Sequence, residues 1–173
     1  MNISLEQILP TNFSNHSRVW IYQSSRLLSM QEALTLEQLF ADFVQNWKSH
    51  GTPVKGYANL IFGQFIVIMA DETQAEVSGC STDYSVHFIK QIEKQFNIQL
   101  FDRQMLAFFI KEKIELLPLS QIEYAIEKGF ITEATIYFNN LVYTKQELLE
   151  NWMIPAGKSW LGKRYFKTKT AHS

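Results

Sequence analysis

A chain of 173 residues with a formal net charge of −1 has no global field to draw in nucleic acid or an anionic membrane surface. Apolar residues at 46% and charged residues at 19% give a globular composition, not a disordered one, with enough length for a sizeable core. The single cysteine excludes an internal disulfide, and the longest apolar runs, 65–70 and 105–110, fall far short of the roughly 20 residues of a membrane span. Residues 1–10 carry Glu6 and no basic stretch, unlike a secretory leader. A soluble, cytoplasmic protein is therefore expected.

In chain order, residues 1–17 hold a short amphipathic piece stopped by Pro10, read as a flexible N-terminal arm. The β-rich run 18–23 predicts a first strand. Ser29 with Glu32 forms a capping-box pattern opening a helix to about Ser49, with Leu36, Phe40, Phe43 and Trp47 as its core stripe and His50-Gly51 as its stop. Residues 57–62 and 65–71 predict a hairpin turning at Gly63-Gln64. A helix follows Ser78-Gly79-Cys80-Ser81 and runs to about Phe96, and strands 105–111 and 114–117 flank a charged turn at Glu112-Lys113.

This order predicts an α+β fold, a ferredoxin-like βαββαβ four-stranded antiparallel sheet with two helices on one face. Residues 18–118 would form that core. Residues 119–166 would add a small helix–hairpin–helix extension. Its parts are a helix capped by Ser120 and Glu123, a hairpin around Asn139-Asn140, and a last helix capped by Thr144 and Glu147. Residues 167–173 read as a tail.

The stretch Ser78–His87 is the place where the chain looks shaped for chemistry. At about 100° per residue, Cys80, Asp83 and His87 share one side of the helix, away from the stripe of Phe88, Ile89, Ile92 and Phe96. A thiol at a helix start ionises readily, so Cys80 can serve as a nucleophile with His87 as base and Asp83 as its orienting partner. Alternatively, the amides around Ser78, Gly79, Cys80 and Ser81 hold an anion, with Asp83 and His87 bordering it and Arg103 assisting. Against both stands a plain cap, since Ser, Thr and Asp are the preferred residues at helix starts. No metal-ligand spacing such as C-x-x-C or H-E-x-x-H is present, and no cofactor signature is seen.

The segments Val19-Trp20-Ile21-Tyr22-Gln23-Ser24, Ser78-Gly79-Cys80-Ser81, Val86-His87-Phe88-Ile89-Lys90 and Leu100-Phe101-Asp102-Arg103 together resemble a family of small uncharacterised bacterial proteins. Phe138-Asn139-Asn140-Leu141-Val142, Thr144-Lys145-Gln146-Glu147-Leu148 and Ser159-Trp160 extend the likeness over roughly residues 18–166. Members of that family often bear the label "ABC transporter ATPase", and the resemblance brings no catalytic residues with it. The residues speak against that label. Gly157-Lys158-Ser159 ends like a P-loop, but the motif needs glycine where Trp152 stands, Pro155 interrupts it, and no strand is foreseen before it.

The leading expectation is thus a non-enzymatic small-ligand, anion or protein-interaction module. A thiol enzyme using Cys80 is the alternative. Basic residues from Lys158 to Lys169 beside Trp160 and Tyr165 give only a weak case for nucleic acid. Exposed aromatics on the open sheet face would make a homo-oligomer interface.

Overall fold

The computed structural model describes residues 4–166, a mixed α+β chain that divides into two compact units. One holds the residues up to Asp102 together with Val142–Leu149. The other holds Arg103–Leu141 and the chain from Glu150 onward.

In the first unit, a short helix α1 (Leu5–Ile8) precedes strand β1 (Arg18–Gln23) and helix α2 (Met30–Asn46). The capping box is formed in full. Glu32 N donates to Ser29 Oγ at 3.2 Å, and Ser29 N donates to Glu32 Oε2 at 2.8 Å. Arg26 grips the same carboxylate with two nitrogens at 2.9 and 2.7 Å and also donates to the carbonyl of Phe96. That arginine first, then the Ser29 backbone, lowers the Glu32 carboxyl to about 2.

Helix α2 ends at Asn46, earlier than the expected Ser49, because the chain turns at once into a hairpin of β2 (Lys48–Ser49) and β3 (Thr52–Pro53). His50 and Gly51, at φ of 50° and 79°, form its two-residue turn. Two consecutive left-handed residues give the twist a tight hairpin requires, so the pair that looked like a helix stop serves a strand pair.

β4 (Lys55–Ile61) and β5 (Phe65–Asp71) follow, turning at Phe62-Gly63, with φ of 55° and 64°, one residue earlier than the Gly63-Gln64 expected. Helix α3 (Gly79–Phe96) closes on Asn97 in the left-handed conformation. The sheet order is β1-β5-β4, all antiparallel. Leu36, Phe40 and Phe43 of α2 and Ile89 and Ile92 of α3 meet Tyr22, Ile66, Ile68 and Ala70, so both helices cover one face, as expected.

The four-stranded ferredoxin-like sheet does not form. The sheet has three strands, and β6 (Met105–Ile110) pairs elsewhere, with β7 (Lys113–Pro118) and a later strand. Two local causes explain this. The outer edge of β1, where a fourth strand belongs, is taken by residues 143–145: Val19 N donates to Tyr143 O at 2.9 Å and Lys145 N to Ser17 O at 2.9 Å. The link after α3 is also anchored, with Ile98 and Leu100 buried in the first core and Ser25 N donating to Gln99 O at 3.0 Å.

The second sheet face is not open either. Phe65, Val67 and Met69 are 0% exposed. On that face Tyr57 meets Phe13 edge-on at 6.4 Å and donates its hydroxyl to Ile8 O. Burial raises the Tyr57 phenol above its ordinary value. Leu5, Leu9 and Phe13 of the expected arm are buried, and the buried Lys145 donates its ammonium to Pro10 O and Phe13 O. Asp71, at the end of β5, accepts from Ser14 N, Thr73 N and Lys55 Nζ.

In the second unit β6 and β7 turn through Lys111-Glu112, both at positive φ, one residue before the Glu112-Lys113 turn expected. After a 3-10 turn comes α4 (Ile122–Glu127), which has no side-chain cap; the Ser120–Glu123 box does not form. β8 (Ile136–Phe138) pairs with β6 and with β9 (Met153–Pro155), giving the order β7-β6-β8-β9. The expected hairpin about Asn139-Asn140 is therefore replaced by a long connection through α5 (Lys145–Asn151). Thr144 does cap α5, accepting from Glu147 N at 3.1 Å. The core here is Leu106, Phe108, Ile122, Ala125, Ile131, Tyr137, Ala156 and Leu161. Gly162 opens a short π-helical turn, Gly162–Phe166, and its Cα lies so close to the Gly157 carbonyl that a Cβ there would collide with it.

Candidate functional site

The Ser78–His87 stretch folds as a helix start whose hydroxyls are spent inside the chain. Ser78 Oγ accepts from Ser81 N at 3.2 Å, and Ser81 Oγ donates to Lys48 O at 2.8 Å. Thr82 Oγ1 donates to Ser78 O, Ser85 Oγ to Thr82 O, and Ser78 N to Ser49 Oγ. The indole of Trp47 donates to Ser81 O at 3.0 Å. The bonds from Ser81 to Lys48 and from Ser78 to Ser49 fasten α3 to β2, and the small, buried Ser81 and Ser85 let the helix approach closely.

Cys80, Asp83 and His87 are all exposed on one side of α3, as the spacing implied. The three do not form a catalytic constellation. The only side-chain hydrogen bond of His87 among the described residues is its Nε2 with Gln91 Nε2 at 3.4 Å; it makes none with Asp83 or Cys80. A thiol relay needs nucleophile, base and orienting group within hydrogen-bond reach. Tyr84, next along the helix, stacks on Phe43 at 5.6 Å and 14°. Among the described residues, the amides of Gly79 and Cys80 make no bond, and no group of three or more His, Cys, Asp and Glu is placed to hold a metal ion. Arg103 belongs to the second unit.

The P-loop-like Gly157-Lys158-Ser159 has a three-residue strand, β9, before it after all. Its polar groups are engaged within the chain. Gly157 N donates to Glu133 O at 2.9 Å, and the buried Ser159 donates its hydroxyl to Ala156 O at 2.8 Å.

Sequence reasoning missed two concave features. In the second unit a cavity of about 660 Å³ is walled by α4, by residues 129–133 and by the turn 164–166. Glu123, Glu127 and Glu133 bring carboxylates to it, Ile126 and Ile131 an aliphatic floor, and Tyr165 and Phe166 aromatic rings. Arg164 lines it too, its guanidinium lying 5.2 Å over the Tyr165 ring. The i, i+4 spacing of Glu123 and Glu127 was a readable signal. The distant stretch that completes the wall was not readable. In the first unit a smaller groove of about 360 Å³ runs between α2 and the end of β4, floored by Leu28, Phe40 and Leu60. Leu27, Met30 and Leu34 stand beside it 63%, 77% and 58% exposed.

Among the described residues, no helix is long and apolar enough to cross a membrane. Comparison with protein-family models, curated proteins and solved structures finds no match to this chain.

Proposed function

We propose that this chain is a cytoplasmic, non-enzymatic binding module of the bacterial family it resembles, and that it holds a small ligand in the cavity of its second unit. The observation that carries this reading is the cavity itself. Its volume of about 660 Å³ lies in the range of small-molecule sites. It also combines an apolar floor with a few convergent polar groups, the usual make-up of such sites. Among the described residues the exposed thiol of Cys80 accepts no hydrogen bond from His87, and the hydroxyls at the α3 start are spent within the chain, so neither offers an equal case. A thermal-shift panel of metabolites tests the reading. A ligand at a hundred times its Kd adds about 2.7 kcal/mol, or roughly 5–10 °C in Tm for a chain of this size. A broad panel with no shift refutes it.

A second reading, docking of a partner polypeptide, is favoured by Leu27, Met30 and Leu34 beside the groove and by β4, which pairs on one side only. An extended segment adding to that edge would place alternate apolar side chains in the groove. Screening a displayed peptide library should enrich such alternating sequences, with Leu34→Asp abolishing their binding. Enriched peptides indifferent to Leu34→Asp would remove this reading.

A further inference from the structure

We infer that the second-unit cavity selects an organic ammonium ion carrying an apolar body. The inference rests on the reading of that cavity as a ligand site and names the ligand's chemistry. Three carboxylates, Glu123, Glu127 and Glu133, line the cavity against one guanidinium, Arg164. None of the three makes an ion pair or side-chain hydrogen bond among the described residues. Among the described residues Arg164 makes no ion pair with them, its guanidinium lying over the Tyr165 ring. Among the described lining residues the carboxylates thus outnumber the guanidinium three to one.

Concave walls of low dielectric focus such a field and raise the local concentration of cations. A metal ion would need oxygen ligands converging on one point, and among the described residues no such group exists. A hydrated inorganic cation would also gain nothing from Ile126, Ile131 and Phe166. An ammonium group on a hydrocarbon or aromatic body uses every part of the lining. The charge meets the carboxylates, the body covers the half-buried Ile126, and the ring of Phe166 attracts the cation further. Among the described lining residues a carboxylate or phosphate ligand would find Arg164 alone and be repelled by the three carboxylates.

The test uses the full chain and three probes of equal chain length, hexylammonium, hexanol and hexanoate, with binding followed through backbone amide shifts at low salt. Hexylammonium should bind most tightly, with shifts at residues 123–133 and 164–166. Glu123→Gln/Glu127→Gln/Glu133→Gln should weaken it about tenfold or more while leaving hexanol within about twofold. Should the triple variant misfold, salt serves instead. Raising ionic strength from about 0.02 to about 0.5 M should weaken hexylammonium selectively in the wild-type chain. Hexanol or hexanoate binding as tightly as hexylammonium overturns the inference and leaves the cavity reading standing. Absence of any shift in the cavity amides with all three probes at about 10 mM overturns both.

Discussion

Asp71→Asn tests how the N-terminal segment is held to the first unit. The carboxylate is 3% exposed and has two distinct oxygens in use. Oδ1 accepts from Thr73 N at 3.1 Å, while Oδ2 accepts from Ser14 N at 3.0 Å and Lys55 Nζ at 3.2 Å. Burial alone would raise this carboxyl, yet the donors from Ser14, Thr73 and Lys55 outweigh it and hold it well below the usual range. Asparagine keeps the shape but turns an NH₂ toward Ser14 N–H and the Lys55 ammonium, leaving donors facing donors. A hydrogen bond to a buried charged group is worth about 1.5–3 kcal/mol net. Lys55, 36% exposed, adds only about 0.5–1 kcal/mol after solvent screening.

The expected loss at neutral pH is therefore about 2–4 kcal/mol, read from urea unfolding. At a urea slope of about 2 kcal/mol/M this moves the midpoint by about 1–2 M. The sign with pH is fixed by the depressed carboxyl. Its contribution is complete above the unfolded value of about 3.9 and is lost as pH falls toward the folded one, so the gap between wild type and variant should narrow below about pH 4. Hydrogen exchange at the Ser14 amide should also speed up in the variant. A loss under about 0.5 kcal/mol at neutral pH, or a gap that stays constant on acidification, would refute the reasoning.

Other outcomes follow from single positions. Lys111→Asn/Glu112→Gly should stabilise the chain by about 1–2 kcal/mol in urea melts, because both residues hold left-handed φ in a two-residue hairpin that favours Asn-Gly. Gly162→Ala should lower Tm by several degrees and perturb amide shifts at 164–166, since its new methyl meets the Gly157 carbonyl. Ser29→Ala should cost about 1 kcal/mol through loss of its bond to Glu32 N, measured by the same melts. Cys80 should alkylate rapidly in the folded chain at a rate unchanged by His87→Ala. Cys80→Ala should change stability by no more than about 0.5 kcal/mol, because the thiol is exposed and the imidazole makes no hydrogen bond with it.

What the sequence revealed about the fold was mainly local. β1 begins and ends where the β-rich run 18–23 placed it, and the capping residues Ser29, Ser78 and Thr144 each open the helix expected of them. These signals act through bonds to residues a few positions away, so the local chain is enough to read them. Pairing partners are another matter. β6 carries six apolar residues that would suit the centre of either sheet. In the structure residues 143–145 occupy the edge of β1, a contact across more than a hundred positions that no periodicity encodes. The positive-φ turns at Phe62 and Lys111-Glu112 escaped for a related reason. Tertiary pairing imposes a conformation that bulky or charged residues do not announce.

The same division governs the site. The one-sided placement of Cys80, Asp83 and His87 followed from helical geometry, and the structure keeps it. Whether a shared side becomes a site depends on concavity, and concavity comes from what stands opposite. Beside this stripe the hydroxyls are committed to Lys48, Thr82 and Ser78. In the sequence Glu123 reads as a helix-capping residue, and residues 164–166 fall in the basic stretch from Lys158 to Lys169. The Gly162–Gly157 contact turns the chain so that residues 164–166 line one hollow with Glu123 and Glu127. The chemistry of each side chain was legible from the start; the apposition that forms the hollow depends on a close approach of two glycine backbones that no local pattern announces.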